Sequence, residues 1–272
     1  MRIFAFDLDG TALREHAKLS EANSAAFEEL HRHGVMLVPA TGRIHNFLPE
    51  PVLDLPGLRY LITSNGASVY DLREEKVIYE NLIEPQTALR VQRVLEDFGV
   101  YVEYYHGGEV LLEKKYQSID LTKLGVPADR EIFFRKKYHM IDSYRGGLQA
   151  GEIRPEKINL PYIQPAIYEA LWAALEKLPG IHLTSSVQGN IEINRDTCNK
   201  GSALQFLAEY LSVERAQVMA IGDGGNDVEM LAWAGISVAM GNGVDAAKEA
   251  AAYITAPCDE DGLAKAVQRF LV

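Results

Sequence analysis

Residues 1–13 read MRIFAFDLDGTAL, and the run changes character halfway along. Ile3 to Phe6 are apolar without alternation, the pattern of a short strand buried on both faces. Directly after it come Asp7 and Asp9, one residue apart, then Gly10 and Thr11. An unpaired buried carboxylate is costly, so acids at the tip of a buried strand call for something cationic. Asp-Gly is also a common turn pair, so the rest of the chain has to choose between a turn and a site.

The same arrangement recurs along the chain. The stretch SEANSAAFEELHRHG (20–34) reads as a helix, with Ser20 as N-cap, Ala26, Phe27 and Leu30 on one face and Gly34 past the end. A second buried strand, VMLVPATGR (35–43), runs into Thr41-Gly42-Arg43, and RYLITSNGASVY (59–70) gives a third, ending in Ser64-Asn65-Gly66. Near the C-terminus, GSALQFLAEYLSV (201–213) is an amphipathic helix and QVMAIGDGGND (217–227) a strand emptying into an acidic, glycine-rich loop. The helix VEMLAWAG, the strand and turn ISVAMGNG (236–243) and the helix DAAKEAAAYIT (245–255) leading to an edge strand complete the pattern. Strand–helix alternation with polar residues at strand C-termini predicts an α/β fold, a Rossmann-like open parallel sheet.

The middle of the chain breaks that alternation. VYVEYYHGGEVLLEKKY (100–116) reads as a hairpin turning at Gly107-Gly108. EKINLPYI (156–163), the helix PAIYEALWAALEKLP (165–179) and the strand-like IHLTSSV and NIEINRD follow. The expectation is an inserted α+β cap domain over 82–195, with 1–81 and 196–272 folding together as the core and hinges near 81–85 and 194–198. The insertion is expected to close over the core as a lid that excludes water.

Bulk properties narrow the function. The chain has 272 residues, 47% hydrophobic and 24% charged, with a net charge of −11. That balance argues against nucleic acid, whose phosphates need a basic surface. No stretch approaches the ~20 apolar residues of a membrane span, the N-terminal apolar run is too short for a signal peptide, and the only cysteines, Cys198 and Cys258, suggest no disulfide framework. A soluble cytoplasmic protein with neither nucleic-acid nor membrane partner is expected. The oligomeric state, monomer or dimer, stays open.

In open α/β sheets ligands bind outside the carboxyl ends of the strands. That edge would gather Asp7, Asp9, Asp223 and Asp227, which would repel one another if left alone. A hard dication with oxygen ligands resolves this, and Mg²⁺ is bound in this manner through carboxylates, waters and phosphate oxygens. The duller readings are a solvated Lys200, a plain helix cap at Thr41-Gly42, a solvated face for FFRKK and tyrosines at 101–105 that pack the insertion's sheet. His31 and His33 fit a helix C-terminus better than catalysis.

DLDGT (7–11), ATGR (40–43), NKGSAL (199–204) and GDGGND (222–227), in that order, resemble the four motifs of the haloacid dehalogenase superfamily. SNGA (64–67), AMGNG (239–243) and the tail YIT…DEDGLAKAV (253–267) resemble its Cof-type, subclass IIB phosphatases. The resemblance covers the whole core. It implies a phosphatase acting on a small phosphorylated metabolite, for instance a sugar phosphate, with Asp7 as nucleophile and Asp9 as general acid and then base. It further implies Mg²⁺ held by Asp7, the Asp9 carbonyl and Asp223, with Asp227 a direct, water-mediated or more distant ligand. Thr41 and the Gly42 amide would bind phosphate at a following helix N-terminus, Lys200 would bridge Asp7 and phosphate, Asn226 would steady Asp9 or the phosphate, and Arg43 would touch substrate or pair on the surface. Tyr105, His106, Arg135, Lys136, Lys137 and Arg145 are the candidate specificity contacts. The rivals are a phosphomutase of the same superfamily and a non-catalytic module that binds metal and phosphate.

Overall fold

The computed structural model describes residues 1–14, 17–118, 120–124, 138–185 and 189–271. They fall into two compact units. One comprises Met1–Arg43, Phe47–Glu80 and Asn199–Val272; the other comprises Ile44–Asn46 and Asn81–Cys198.

The first unit is built on a five-stranded sheet. In spatial order its strands are Tyr253–Ile254, Ile236–Ala239, Val218–Gly222, Ile3–Phe6 and Met36–Pro39. All neighbouring pairs are parallel, and Ile3 stands opposite Val218 on one side and Met36 on the other. The opening strand therefore lies inside the sheet, and none of its four residues is exposed. Its side chains alternate between two apolar layers. Phe4 and Phe6 pack with Phe27 of the helix Glu21–Arg32, the Phe6 and Phe27 ring centroids 4.7 Å apart. Ile3 and Ala5 pack with Ala203, Leu204 and Leu207 of the helix Lys200–Tyr210. Helices thus cover both faces, as a parallel sheet requires, and burying each such phenylalanine stabilises by about 1.5–3 kcal/mol. The Ser20 N-cap is present, its hydroxyl accepting from the Asn23 amide at 3.1 Å, and Gly34 takes a positive φ of 70° just past the helix.

The third strand, Tyr60–Thr63, ends at Ser64-Asn65-Gly66, as the sequence suggests. Tyr60–Thr63 meets the parallel sheet only through a bridge between Ala40 and Ile62, and the chain then reverses into an antiparallel sheet with Ser68–Asp71 and Lys76–Glu80. The cause is local: Ser64, Asn65 and Gly66 take successive φ values of 52°, 62° and 94°, which no strand can contain. One local expectation is corrected: no helix begins at Thr41-Gly42. Bends and a 3₁₀ turn at His45–Phe47 lead to a four-residue helix, Glu50–Leu53, entered after Pro49, a residue suited to ending the extended approach.

The second unit carries a six-stranded sheet. Its order is Tyr138–Ile141, Glu109–Glu113, Glu103–His106, Lys157–Leu160, Ile191–Arg195 and Ile181–Thr184. All pairs are antiparallel except the first. His106 pairs with Glu109 around Gly107 and Gly108, whose φ values of 59° and 80° suit a tight two-residue hairpin. Tyr104, Ile158 and Ile193 form an apolar face together with Val91 and Leu95 of the helix Pro85–Phe98 and Leu171 and Leu175 of Pro165–Leu175. Register puts Glu103, Asn159 and Glu192 in one row of the opposite face, beside Tyr105 and Lys157.

Candidate active site

Every residue of the acidic site belongs to the first unit. Asp7 follows the central strand, its amide donating to the Ile221 carbonyl at 3.0 Å. Asp223 and Asp227 follow Val218–Gly222, the neighbouring strand. Because the two strands are parallel, both loops emerge at the same sheet edge, and Asp7, Asp223 and Asp227 each place a carboxylate oxygen within 4.8 Å of the others. Lys200 opens its helix behind an Asn199 N-cap that forms a capping box with Ser202. Its fully buried ammonium donates to Asp7 Oδ1 at 2.6 Å and to Asp227 Oδ1 at 2.7 Å.

Each acid is held in its own way. The second oxygen of Asp227 accepts from the Asp223 amide at 2.9 Å and the Gly224 amide at 2.8 Å. With both oxygens engaged, Asp227 braces Lys200 and the glycine-rich loop. Asp223 accepts from the Thr11 hydroxyl at 2.7 Å and, through Oδ2, from Asn242 Nδ2 at 3.4 Å. Asn242 also donates to the Gly10 carbonyl at 2.9 Å. Gly10 has φ +83°, and a Cβ there would stand 2.5 Å from Asp223 Oδ2. Only glycine lets the two loops approach this closely.

Electrostatics show what the cluster lacks. Burial pushes the Asp7 carboxyl well up; Lys200 pulls it back, while Asp227 and Asp223 push it higher again. Burial first, with repulsion from Asp227, lifts Asp223 to about 6 against the hydrogen bond from Thr11. Burial disfavours the Lys200 charge, but Asp227 and Asp7 reverse that and hold it above the ordinary lysine range. Three carboxylates face one ammonium, so the donor set is all hard oxygen and short of positive charge. These residues fit an oxygen-loving dication such as Mg²⁺, with Asp7 and Asp223 best placed to hold it.

Asp9 is not one of the three clustered carboxylates. Arg43 grips it from the side, Nε to Oδ2 at 2.8 Å and Nη2 to Oδ1 at 2.5 Å. Thr41 sits at the base of the same loop, its hydroxyl accepting from the Arg43 amide at 3.1 Å. Gly42 lies between them without the expected helix. Asn226 donates to Asn65 Oδ1 at 3.0 Å, so its amide is turned toward the Ser64–Gly66 turn. Asn65 ends the third strand at this edge, while Thr11 and Asn242 have no role assigned by the sequence; their signals are their places inside DLDGT and AMGNG. In the second unit, Tyr105 lies under the Lys157 ammonium, His106 Nδ1 meets the Arg154 carbonyl at 2.9 Å, and Arg145 pairs with Glu96. Arg135, Lys136 and Lys137 lie outside the described residues.

Comparison with known proteins places the chain. The sequence profile described as haloacid dehalogenase-like hydrolase matches residues 4–267. An HMP-PP phosphatase of Cronobacter sakazakii is 31% identical, covering 89% of this chain and 84% of that one. The 5-amino-6-(5-phospho-D-ribitylamino)uracil phosphatase YcsE of Bacillus subtilis is 29% identical over 100% of this chain and 96% of its own length. A solved haloacid dehalogenase-like hydrolase from B. subtilis superposes with a TM-score of 0.81 at 28% identity, covering 99% of this chain and all of that one.

Proposed function

This chain belongs to the haloacid dehalogenase-like hydrolases, and we propose that it is a magnesium-dependent phosphatase that hydrolyses a small phosphorylated metabolite through a phosphorylated Asp7. The observation that carries the reading is the Lys200 ammonium, buried and held between Asp7 and Asp227 with Asp223 alongside. Family relatives that act as phosphatases on small phosphate esters support it.

The residues divide the work as follows. Asp7 presents an oxygen to phosphorus, and its bond to phosphorus forms as the bond to the ester oxygen breaks. Lys200 keeps that carboxylate oriented and reduces the repulsion between nucleophile and phosphate. Asp9 gives a proton to the departing oxygen. Its carboxylate then takes a proton from the water that attacks phosphorus, which frees Asp7 and restores the Asp9 acid. Asp223 and Asp7 would hold Mg²⁺, which when bound supplies the positive charge that the cluster lacks. Thr41 and Gly42 line the phosphate side of the loop.

The test is Asp7→Asn with p-nitrophenyl phosphate and Mg²⁺, together with acid-quench trapping of phosphoprotein. Wild type should release phosphate and show trapped label, and the variant neither. Phosphate release by Asp7→Asn at the wild-type rate would end this reading.

A further inference from the structure

We propose that Arg43 is a positioning residue that fixes the Asp9 carboxylate and keeps it out of the Asp7–Asp223–Asp227 cluster, so that Asp9 remains available for proton transfer. The proposal rests on the role given to Asp9 above.

Asp9 comes two residues after Asp7, on a loop that turns at Gly10 with φ +83°. A site rich in carboxylates and built for a dication attracts a further flexible carboxylate as an extra ligand. What stands against this is the guanidinium fork, which donates one N–H to each Asp9 oxygen and so sets the plane and rotamer of the carboxylate, while each oxygen keeps a second lone pair on which a proton can sit. A lysine would supply the charge without that planar grip.

Arg43 is itself held firmly. Its carbonyl accepts from the Ser64 amide at 2.9 Å, and the Thr41 carbonyl accepts from the Asn65 amide at 3.0 Å. Its own amide donates to the Thr41 hydroxyl, and Nη1 reaches the Phe47 carbonyl at 3.4 Å. Both amides from the Ser64 turn point this way because Ser64 and Asn65 adopt left-handed backbone, which side chains other than glycine rarely take. That strain marks the SNGA turn as the platform beneath the Arg43 loop. During ester cleavage the P–O bond's electron pair passes to the leaving oxygen, which takes the Asp9 proton; water returns a proton to Asp9 in the second step.

The test compares benzyl phosphate, a poor leaving group, with p-nitrophenyl phosphate, a good one, under excess Mg²⁺. The readout is kcat/KM, which covers steps up to loss of the leaving group. Wild type, Arg43→Ala, Arg43→Lys, Asp9→Asn and the double variant Arg43→Ala with Asp9→Asn are measured, with thermal melts to confirm folding. Arg43→Ala should lose about 10²-fold on benzyl phosphate and less than about tenfold on p-nitrophenyl phosphate, which needs little protonation on departure. Arg43→Lys should fall between, and it carries the test should the alanine variant melt early. The double variant should match Asp9→Asn on both esters. Equal losses on the two esters, or a further loss when Arg43→Ala is added to Asp9→Asn, would overturn the proposal. If Asp9→Asn shows no dependence on the leaving group, the role of Asp9 fails and the proposal falls with it.

Discussion

Among the described residues, each unit buries one lysine among carboxylates, and the two solutions differ. Lys200 has no exposed surface and meets Asp7 and Asp227 at 2.6 and 2.7 Å. Lys157 is 2% exposed, lies 3.4 Å from Glu192 and sits 4.7 Å from the Tyr105 ring centroid. Around Lys157 neutral donors satisfy the acids: Glu103 accepts from Asn159 at 2.8 Å and from Tyr101 and Tyr138 at 3.2 Å, and Glu192 from Asn190 at 3.3 Å. Around Lys200 the acids outnumber the cation, and Asp7 and Asp223 still face the site. A polar cluster closed by its own amides and phenols is architecture, whereas one left short of positive charge fits the metal-dependent role proposed above.

The largest effect should come from Lys200→Ala. Removing one partner of a buried pair costs about 3–5 kcal/mol, and turnover should vanish because Asp7 loses its orientation. Urea denaturation with and without Mg²⁺ reads the first, and the loss should shrink when Mg²⁺ is present. A variant that keeps its activity would break the contrast between the two lysines.

Metal binding comes next. Mg²⁺ at about a hundred times its dissociation constant should stabilise wild type by about 2.7 kcal/mol. Asp223→Asn should abolish that increment in a thermal melt. An unchanged increment would mean that the ion sits elsewhere.

A smaller loss is expected from Lys157→Met in the second unit. Leaving Glu192 without its cation should cost about 1–3 kcal/mol, and Mg²⁺ should leave the cost unaltered. Rescue by Mg²⁺ would erase the distinction drawn here.

The smallest effect concerns pH. Burial raises the Glu103 carboxyl above the ordinary glutamate value of 4.5, against hydrogen bonds from Asn159, Tyr138 and Tyr101. A folded acid with a raised pKa binds more protons than its unfolded counterpart, so stability declines as pH climbs from that ordinary value through the folded one. Glu103→Gln should remove this decline, and its stability relative to wild type should improve as pH rises above the ordinary glutamate value in denaturation series. Parallel curves would mean that Glu103 carries no such cost.

Much of the site was legible along the chain because its parts are local. Asp7, Asp223 and Asp227 each follow an apolar run with glycines beside them, and Lys200 follows an asparagine cap. Other features were hidden. The Arg43–Asp9 pair joins residues from different loops, and neither loop's composition announces it. The antiparallel hairpin that follows the strand end at Ser64–Gly66 is not announced, because β-propensity in the flanking residues does not say which partner the next strand takes. Glu103, Lys157 and Glu192 alternate like solvent-facing strand residues, yet register collects them into a buried polar row.

The sequence by itself determined the parallel core, the order of the acidic loops and the acids that gather at one sheet edge, since apolar runs, glycines and caps act over a few neighbouring positions. Tertiary structure alone decided which acid meets which cation: Asp227 with Lys200, Asp9 with Arg43, Asp223 with Thr11. Electrostatic pairing depends on distances of a few ångströms between segments far apart in the chain, and only packing sets those distances.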